Sequence, residues 1–527
     1  MGFLLKRDGW KDAEASCLTS AAIVLDLRAA GFRGIYSSLQ MTLEEIEGGH
    51  QVDCMPAFLS DPIFTQSLDP YSRECRPASM AFSLMAEYFP VEDVINSGQS
   101  LIALTAKVYF ILVGTFALDQ AFLLVDGKVE NFAYDHNMNT VNFAVVDDQL
   151  SGDRRFPPHV ITVESFPTAP AESFGKCYPV VIGTVKKVPA VDISSNRGVF
   201  LAMDDVMNQF SGTYVDDTYD EDTALIIASQ AQDSDSEGNY FWKVTLQGGS
   251  ESDSADVSLD ITGPSGTLID AIIFLLLGYS DKSDFFDLAS LRHLNREFNI
   301  VTLSVAFNDI VDGGVLQVIR ERFIKELPIA IVQRGKKFYF QSMLWDRDVR
   351  KVLSFEKNII QMVSPPTETS RDQLSNSFVV ECGMSGLRGD ALTANSRNKD
   401  NDAFCQQSFK RYGELGRRTI SIPDVADEEG AMWLMNWIVD TYSKTRIRIS
   451  YFCTFDTVDV NLWDTVQVLD SYLHWDHGPL FKVVGITLGA SNGITLELLS
   501  VDDYFEVYHV NRRVYSPLEL IGAQVVI

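Results

Sequence analysis

A run of prolines sets the strongest limit on how this chain can fold. Pro157, Pro158, Pro167, Pro170, Pro179 and Pro189 all fall within residues 157–189. Each lacks a backbone donor and clashes with the turn before it, so no helix runs through this stretch. The segments 160–163 (VITV) and 178–182 (YPVVI) are rich in β-branched residues, which predicts a short strand at each. The stretch reads as a stiff, extended joint with one unit before it and others after it.

At 527 residues the chain is too long for one hydrophobic core, and about two to four domains are expected. Its 33 Phe and 18 Tyr suit half-buried strands, which favour flat and branched side chains. The net charge of −29 excludes nucleic-acid binding through the surface as a whole, because phosphate contacts need Lys and Arg. It leaves open a conduit that nucleic acid passes without sticking, or a role in solubility alone. The cysteines, Cys17, Cys54, Cys75, Cys177, Cys382, Cys405 and Cys453, are odd in number, widely spaced and without a CxxC. That pattern argues against a disulfide framework and a clustered metal site, and for buried free thiols in a reducing compartment. Lys6, Arg7 and Asp8 end the first apolar run, so no signal peptide is expected. The longest apolar run, 271–279 (AIIFLLLGY), falls short of the ~20 residues of a membrane helix.

In order along the chain, residues 1–19 read as a polar arm and 21–27 as a first strand. A helix is expected over 76–88, with Met80, Leu84, Met85 and Tyr88 on one face. Strands follow at 101–113, 121–125, 129–134 and 140–146, with Asp126-Gly127 as a tight hairpin turn and DHNMN (135–139) as another. Residues 192–260 are acid-rich, with only Arg197 and Lys243 basic, and carry strands at 224–228 and 240–246. Helices are expected over 267–277 and 312–325, and a strand over 338–343. The segment 364–377 (SPPTETSRDQLSNS) has the composition of a linker. Strands at 378–381 and 420–422 then lead to a helix over 427–442 with acids in its first turn. Strands at 446–454, 464–469, 480–489 and 494–501 close the chain, the last three as a meander turning at Ser491-Asn492-Gly493.

No catalytic, cofactor-binding or metal-binding residue is nominated by motif. Asp233, Asp235 and Glu237 before Gly238 imitate the start of a calcium loop, but Val244 stands where a bidentate Glu is required, so a solvated turn is expected. His474 and His477 suggest a metal pair, but no third ligand lies nearby and Gly478-Pro479 follows, which favours a surface loop. GxSxG, HExxH, the phosphate-binding P-loop and GxGxxG are all missing, so no enzyme activity is expected.

Three places carry a family resemblance. Residues 123–135 (LLVDGKVENFAYD) with 141–147 (VNFAVVD) resemble the closing strands of the first barrel of phage tail hub proteins, the central tail-tip and baseplate hub family. Residues 172–183 (ESFGKCYPVVIG) are similar to the segment that leaves that barrel. Arg411-Tyr412-Gly413, the 427–442 helix, the 446–454 strand and 461–468 (NLWDTVQV) are similar to the second hub barrel. That family often has Gly-Asp before the last of these strands, whereas this chain has Trp463-Asp464.

The resemblance implies a mainly β, multidomain chain with α+β parts. Its parts would be an arm (1–19), a first hub β-barrel domain (20–170), and the proline-rich joint with an acidic β module (171–263). An α/β domain (264–363), a linker (364–376), a second hub β-barrel domain (377–505) and a C-terminal tail (506–527) would follow. It further implies a virion protein, assembled in the host cytoplasm, that forms a homotrimer at the tail tip. There it would adapt a six-fold tail tube or distal tail ring to three-fold tip proteins. Implied partners are the distal tail protein or tube ring, the tape measure protein and separate spike or fibre proteins. DNA would be met only in transit, with no membrane in the resting state and no cofactor. A β-modular carbohydrate-active or receptor-binding tail protein is the alternative.

Overall fold

The computed structural model describes residues 21–28, 35–44, 51–76, 78–89, 102, 104–112, 121–147, 153–195, 198–205, 214–220, 223–225, 227–247, 257–264, 266–334, 337–383, 393–475, 477–489, 493–504 and 506–507. The expected 1–19 arm and the residues beyond 507 lie outside these. Among the described residues the protein is mainly β, with 47% strand, in several sheets, and 20% helix, as the sequence implied. It divides into two compact units. One comprises Met1–Leu150, Ala330–Leu374 and Lys444–Ile527; the other comprises Ser151–Ile329 and Ser375–Ser443. The region expected as a second hub domain, 377–505, is therefore divided between them at residue 443, and the α/β region 264–363 at residue 329.

The first unit is built on one 13-stranded sheet. Its path runs from Ile35–Ser37 through Ala21–Asp26, Thr105–Leu112, Phe122–Asp135, Thr140–Asp147, Ser79–Met85 and Ile63–Ser67. It continues through Leu480–Gly489, Gly493–Ser500, Ile447–Cys453 and Ile359–Glu368. Thr465–Leu469 branches from Leu480–Gly489 and pairs in parallel with Val349–Ser354. The expected meander is present, with Thr465–Leu469, Leu480–Gly489 and Gly493–Ser500 successively antiparallel. Alternation explains these strands. In Thr140–Asp147 the side chains of Val141, Phe143, Val145 and Asp147 are buried while those between them face outward. One core gathers both ends of the unit's sequence, from Ile23, Phe110 and Phe143 to Ile449, Leu496 and Leu498.

Three local expectations are corrected here. Residues 76–88 do not form a helix: Ser79–Met85 is a strand with Met80, Phe82 and Leu84 buried on one face. Met80 and Leu84 are four apart, a spacing shared by helix and strand, and Phe82 between them settles it for the strand. Asp126-Gly127 is not a turn, because Phe122–Asp135 runs through it unbroken. Gly127 is needed for close approach instead, since a Cβ there would lie 1.9 Å from the Val146 carbonyl oxygen on the next strand. Residues 364–368 are not linker. They extend Ile359–Glu368 against Ile447–Cys453, with a register shift between Ser364 and Thr367 that spans Pro365 and Pro366, residues suited to an edge.

In the second unit the joint is a packed loop. Residues 160–163 do not form the expected strand: Val160 makes a single bridge to Cys177, and Ile161 exchanges hydrogen bonds with Lys176 and Gly175. The Phe156–Pro157 peptide is cis. Val180–Ile182 pairs with Val305–Phe307. The acidic module is two four-stranded sheets, one of which sets Val199–Asp204 against Tyr240–Leu246. The expected 267–277 helix is Leu268–Tyr279, and 312–325 is a short α-helix, Gly314–Val318, running into a π-helix, Ile319–Ile324. Helices Leu288–Phe298 and Ala403–Tyr412 were not anticipated, although each has an Asp cap, Asp287 and Asp402. Glu428–Tyr442 forms as expected, capped by Asp427, which accepts from the Gly430 N–H.

Candidate functional site

The feature of the first unit that local sequence could not supply is a seam between distant segments. Strand Ile63–Ser67 lies antiparallel to Leu480–Gly489, with Ser67 opposite Gly485 and Thr65 opposite Thr487. Leu68 N–H continues the pairing by donating to the Val484 carbonyl at 2.8 Å. At Gly485 the Glu497 side chain lies close over the backbone, since a Cβ there would come within 2.9 Å of its carboxylate. An open groove of about 610 Å³ lies over the seam, edged by Arg76, Glu74, Arg448 and Glu497. Among the described residues its lining contains hydroxyls and charges and no aromatic ring.

Beside the seam stands Trp463, where the resembling family often has glycine. Its φ is 68°, in the left-handed region that side chains other than glycine rarely adopt. The conformation is held from all sides. Its N–H donates to Val483 O at 2.6 Å, and its indole N–H to Leu344 O at 3.0 Å. The ring packs on Trp345 at 4.9 Å between centroids. The turn therefore joins a left-handed backbone to a buried ring that pins it. Two buried cations flank it. Lys482 donates to Asp346 and to the Trp463 carbonyl, and Arg446 lies 3.4 Å over Trp345 while donating to the carbonyls of Ser500 and Val501.

The sequence candidates resolve as structure. Asp235 of the calcium-like segment accepts from the N–H groups of Glu237 and Asn239, the Asn239 amide and the Tyr178 hydroxyl, the last at 2.6 Å. Burial pushes the Asp235 carboxyl up, but these donors outweigh it and hold it below its ordinary value. Asp233 pairs with Lys243. His474 and His477 lie in the loop between Thr465–Leu469 and Leu480–Gly489. That loop is organised by buried Trp475 and by Asp470, which accepts from the N–H groups of Tyr472 and Leu473 and from the Tyr451 hydroxyl. Among the described residues no three His, Cys, Asp or Glu side chains gather as a metal site. Six cysteines are described and all are free thiols, five of them buried. No described helix is long and apolar enough to cross a membrane.

A second constellation, in the other unit, escaped motif reading altogether. His159 Nδ1 lies 3.2 and 3.1 Å from the two carboxylate oxygens of fully buried Asp204. Its ring sits 5.5 Å from that of Tyr178. No spacing rule links these residues, because the joint and the acidic module meet only in the fold.

No family model matches the chain, and no curated protein matches it. Among solved structures it is similar to the tail protein from Neisseria meningitidis at 9% identity, over 93% of this chain and 98% of that one, with a TM-score of 0.39. It is similar to the 43 kDa tail protein of prophage MuSo2 from Shewanella oneidensis at 10% identity, over 91% and 98%, with a TM-score of 0.35. It is also similar to prophage tail protein gp18 from Listeria monocytogenes at 7% identity, over 92% and 95%, with a TM-score of 0.35. These are tail proteins. At such identities and scores the likeness transfers no residue and no role to this chain.

Proposed function

We propose that this chain is a structural component of a phage tail, the hub at its tip. The observation that carries the reading is the path of the chain through the first unit. It lays down strands over 21–147, leaves for the second unit, and returns to add strands over 349–500 to the same sheet along the Ile63–Ser67 seam. A hub subunit needs two such β regions side by side, so that three subunits present six similar blocks to a six-fold tube or distal ring. In this reading each β region completes a barrel within the trimer.

The partners follow from the position: the distal tail protein or tube ring, the tape measure protein, and separate spike or fibre proteins. Assembly would take place in the host cytoplasm. Three copies carry 3 × −29 = −87 charges, and where these face the lumen they keep DNA off the wall as it passes. Native mass determination of the purified full chain with electron microscopy tests the proposal. A trimeric ring with an open axis is expected; a monomer at tail-assembly concentrations overturns it. A neutral or basic channel wall in that ring would overturn the charge argument alone.

A further inference from the structure

The large sheet of the first unit ends on the strand Ile359–Glu368, which pairs with Ile447–Cys453 on one side and, among the described residues, with no strand on the other. Val349–Ser354, joined to it by only four residues, pairs instead with Thr465–Leu469 and leaves an open edge of its own among the described residues. Backbone groups along such an edge are ready to pair with another strand. Prolines and charges blunt an edge, and here the two ends of the strand differ. Pro365 and Pro366 interrupt its second half and Glu368 ends it, whereas 359–364 (IIQMVS) has neither proline nor charge. Ile360 is 52% exposed and Val363 50%, and Val349 and Val352 of the adjoining strand are exposed as well.

The described chain ends beside this edge. Val507 is buried in the unit's core. Just before it, Tyr504 donates its N–H to Thr445 O at 2.9 Å. The Thr445 hydroxyl in turn donates to the Glu368 carboxylate, and the Thr369 N–H donates to Arg446 O at 2.9 Å. The chain therefore departs next to the C-terminal end of the open strand. Residues 508–527 (YHVNRRVYSPLELIGAQVVI) follow. Within 518–527, Leu518, Leu520, Ile521, Val525, Val526 and Ile527 stand with a single charge, Glu519, a composition that suits a strand with a covered face. Twenty extended residues reach about 66 Å, about twice the length of the ten-residue strand Ile359–Glu368, so this segment can lie anywhere along the edge.

We infer that 518–527 docks within its own chain as an added strand along 359–364, pairing with the open backbone edge and covering Ile360 and Val363. Two observations choose this occupant. It is tethered beside the edge, so its local concentration there is far above that of any separate partner. Its side chains are also of the branched, uncharged kind that the edge presents. Covering the edge in this way keeps it from pairing with the wrong chain. The docking is made inside one chain and is independent of the hub reading, so either can fail without the other.

The test is amide hydrogen exchange of the full chain beside a chain ended after Val507. In the full chain the amides of 359–364 should be protected on both sides of the strand. In the shortened chain those pointing away from Ile447–Cys453 should exchange about ten-fold or more faster, while Ile447–Cys453 stays protected. Equal exchange of 359–364 in the two chains overturns the docking. Should the shortened chain not fold, Val363→Lys in the full chain decides. A charge at this half-exposed site is harmless to an open edge but unseats a covering strand, so exchange over 518–527 should rise about ten-fold or more. No change there sinks the docking. Protection of 359–364 that disappears on dilution, in step with dissociation of an oligomer, gives the edge to another copy's segment and likewise overturns docking within the chain.

Discussion

The Lys482 ammonium donates to the Asp346 carboxylate across 2.6 Å while only 1% of the lysine side chain reaches solvent and half of the aspartate's does. A buried ammonium left without its anion is more costly than the pair is stabilising. Asp346→Ala is therefore expected to destabilise the protein by about 1–3 kcal/mol, at the lower end because water reaches this anion. Lys482→Met removes the charge with its partner left at the surface, and should cost less. Urea unfolding of the two variants checks the order; a larger loss in Lys482→Met would show that the ion pair itself, not the uncompensated charge, dominates.

Trp463 sets backbone preference against packing. Glycine there would relieve a left-handed φ worth about 1–3 kcal/mol. It would also remove a buried indole, whose loss costs about 3–5 kcal/mol, together with the bond to Leu344 O. Packing should win. Trp463→Gly is expected to lower stability by about 1–3 kcal/mol by thermal or denaturant unfolding. A variant as stable as the parent would mean that the ring does no more than offset the strain of the left-handed backbone.

Gly127 and Gly175 separate two reasons for glycine. A Cβ at Gly127 meets backbone at 1.9 Å, so Gly127→Ala must push two strands apart and should cost more than about 3 kcal/mol. Gly175 has a φ of 85° and nothing within 4 Å of a Cβ, so Gly175→Ala should cost only about 1 kcal/mol. Equal losses would contradict the close approach at Gly127.

Asp147 is 2% exposed, with one oxygen accepting from the Asp126 N–H at 3.0 Å and the other without a hydrogen-bond partner among the described residues. Burial pushes its carboxyl up to about 8, against the pull of that hydrogen bond and with the help of the Asp126 charge. The fold thus favours the protonated form. Its contribution is fully present below the unfolded value near about 4 and is lost as pH rises toward the folded one. Asp147→Asn should leave stability at acid pH little changed and raise it near pH 8, relative to the parent, in denaturant titrations at several pH values. A parallel decline in both proteins would exclude Asp147 as the cause.

What the sequence determined by itself was local and periodic. The helix Glu428–Tyr442, with its Asp cap and acid-rich first turn, the strand Tyr240–Leu246 and the closing meander are written in patterns a few residues long. The mainly β class followed from their number. Tertiary structure decided wherever one pattern had two readings. Met80 and Leu84 satisfy helix and strand alike, and Asp126-Gly127 marks a turn or a tight strand contact depending on whether Val146 lies alongside. It also decided the whole of the candidate sites. Ser67 meets Gly485, Lys482 meets Asp346, and His159 meets Asp204 across long stretches of chain. A buried charge is tolerable only beside a partner that satisfies it, and no spacing in the sequence states which distant residue folding will bring there.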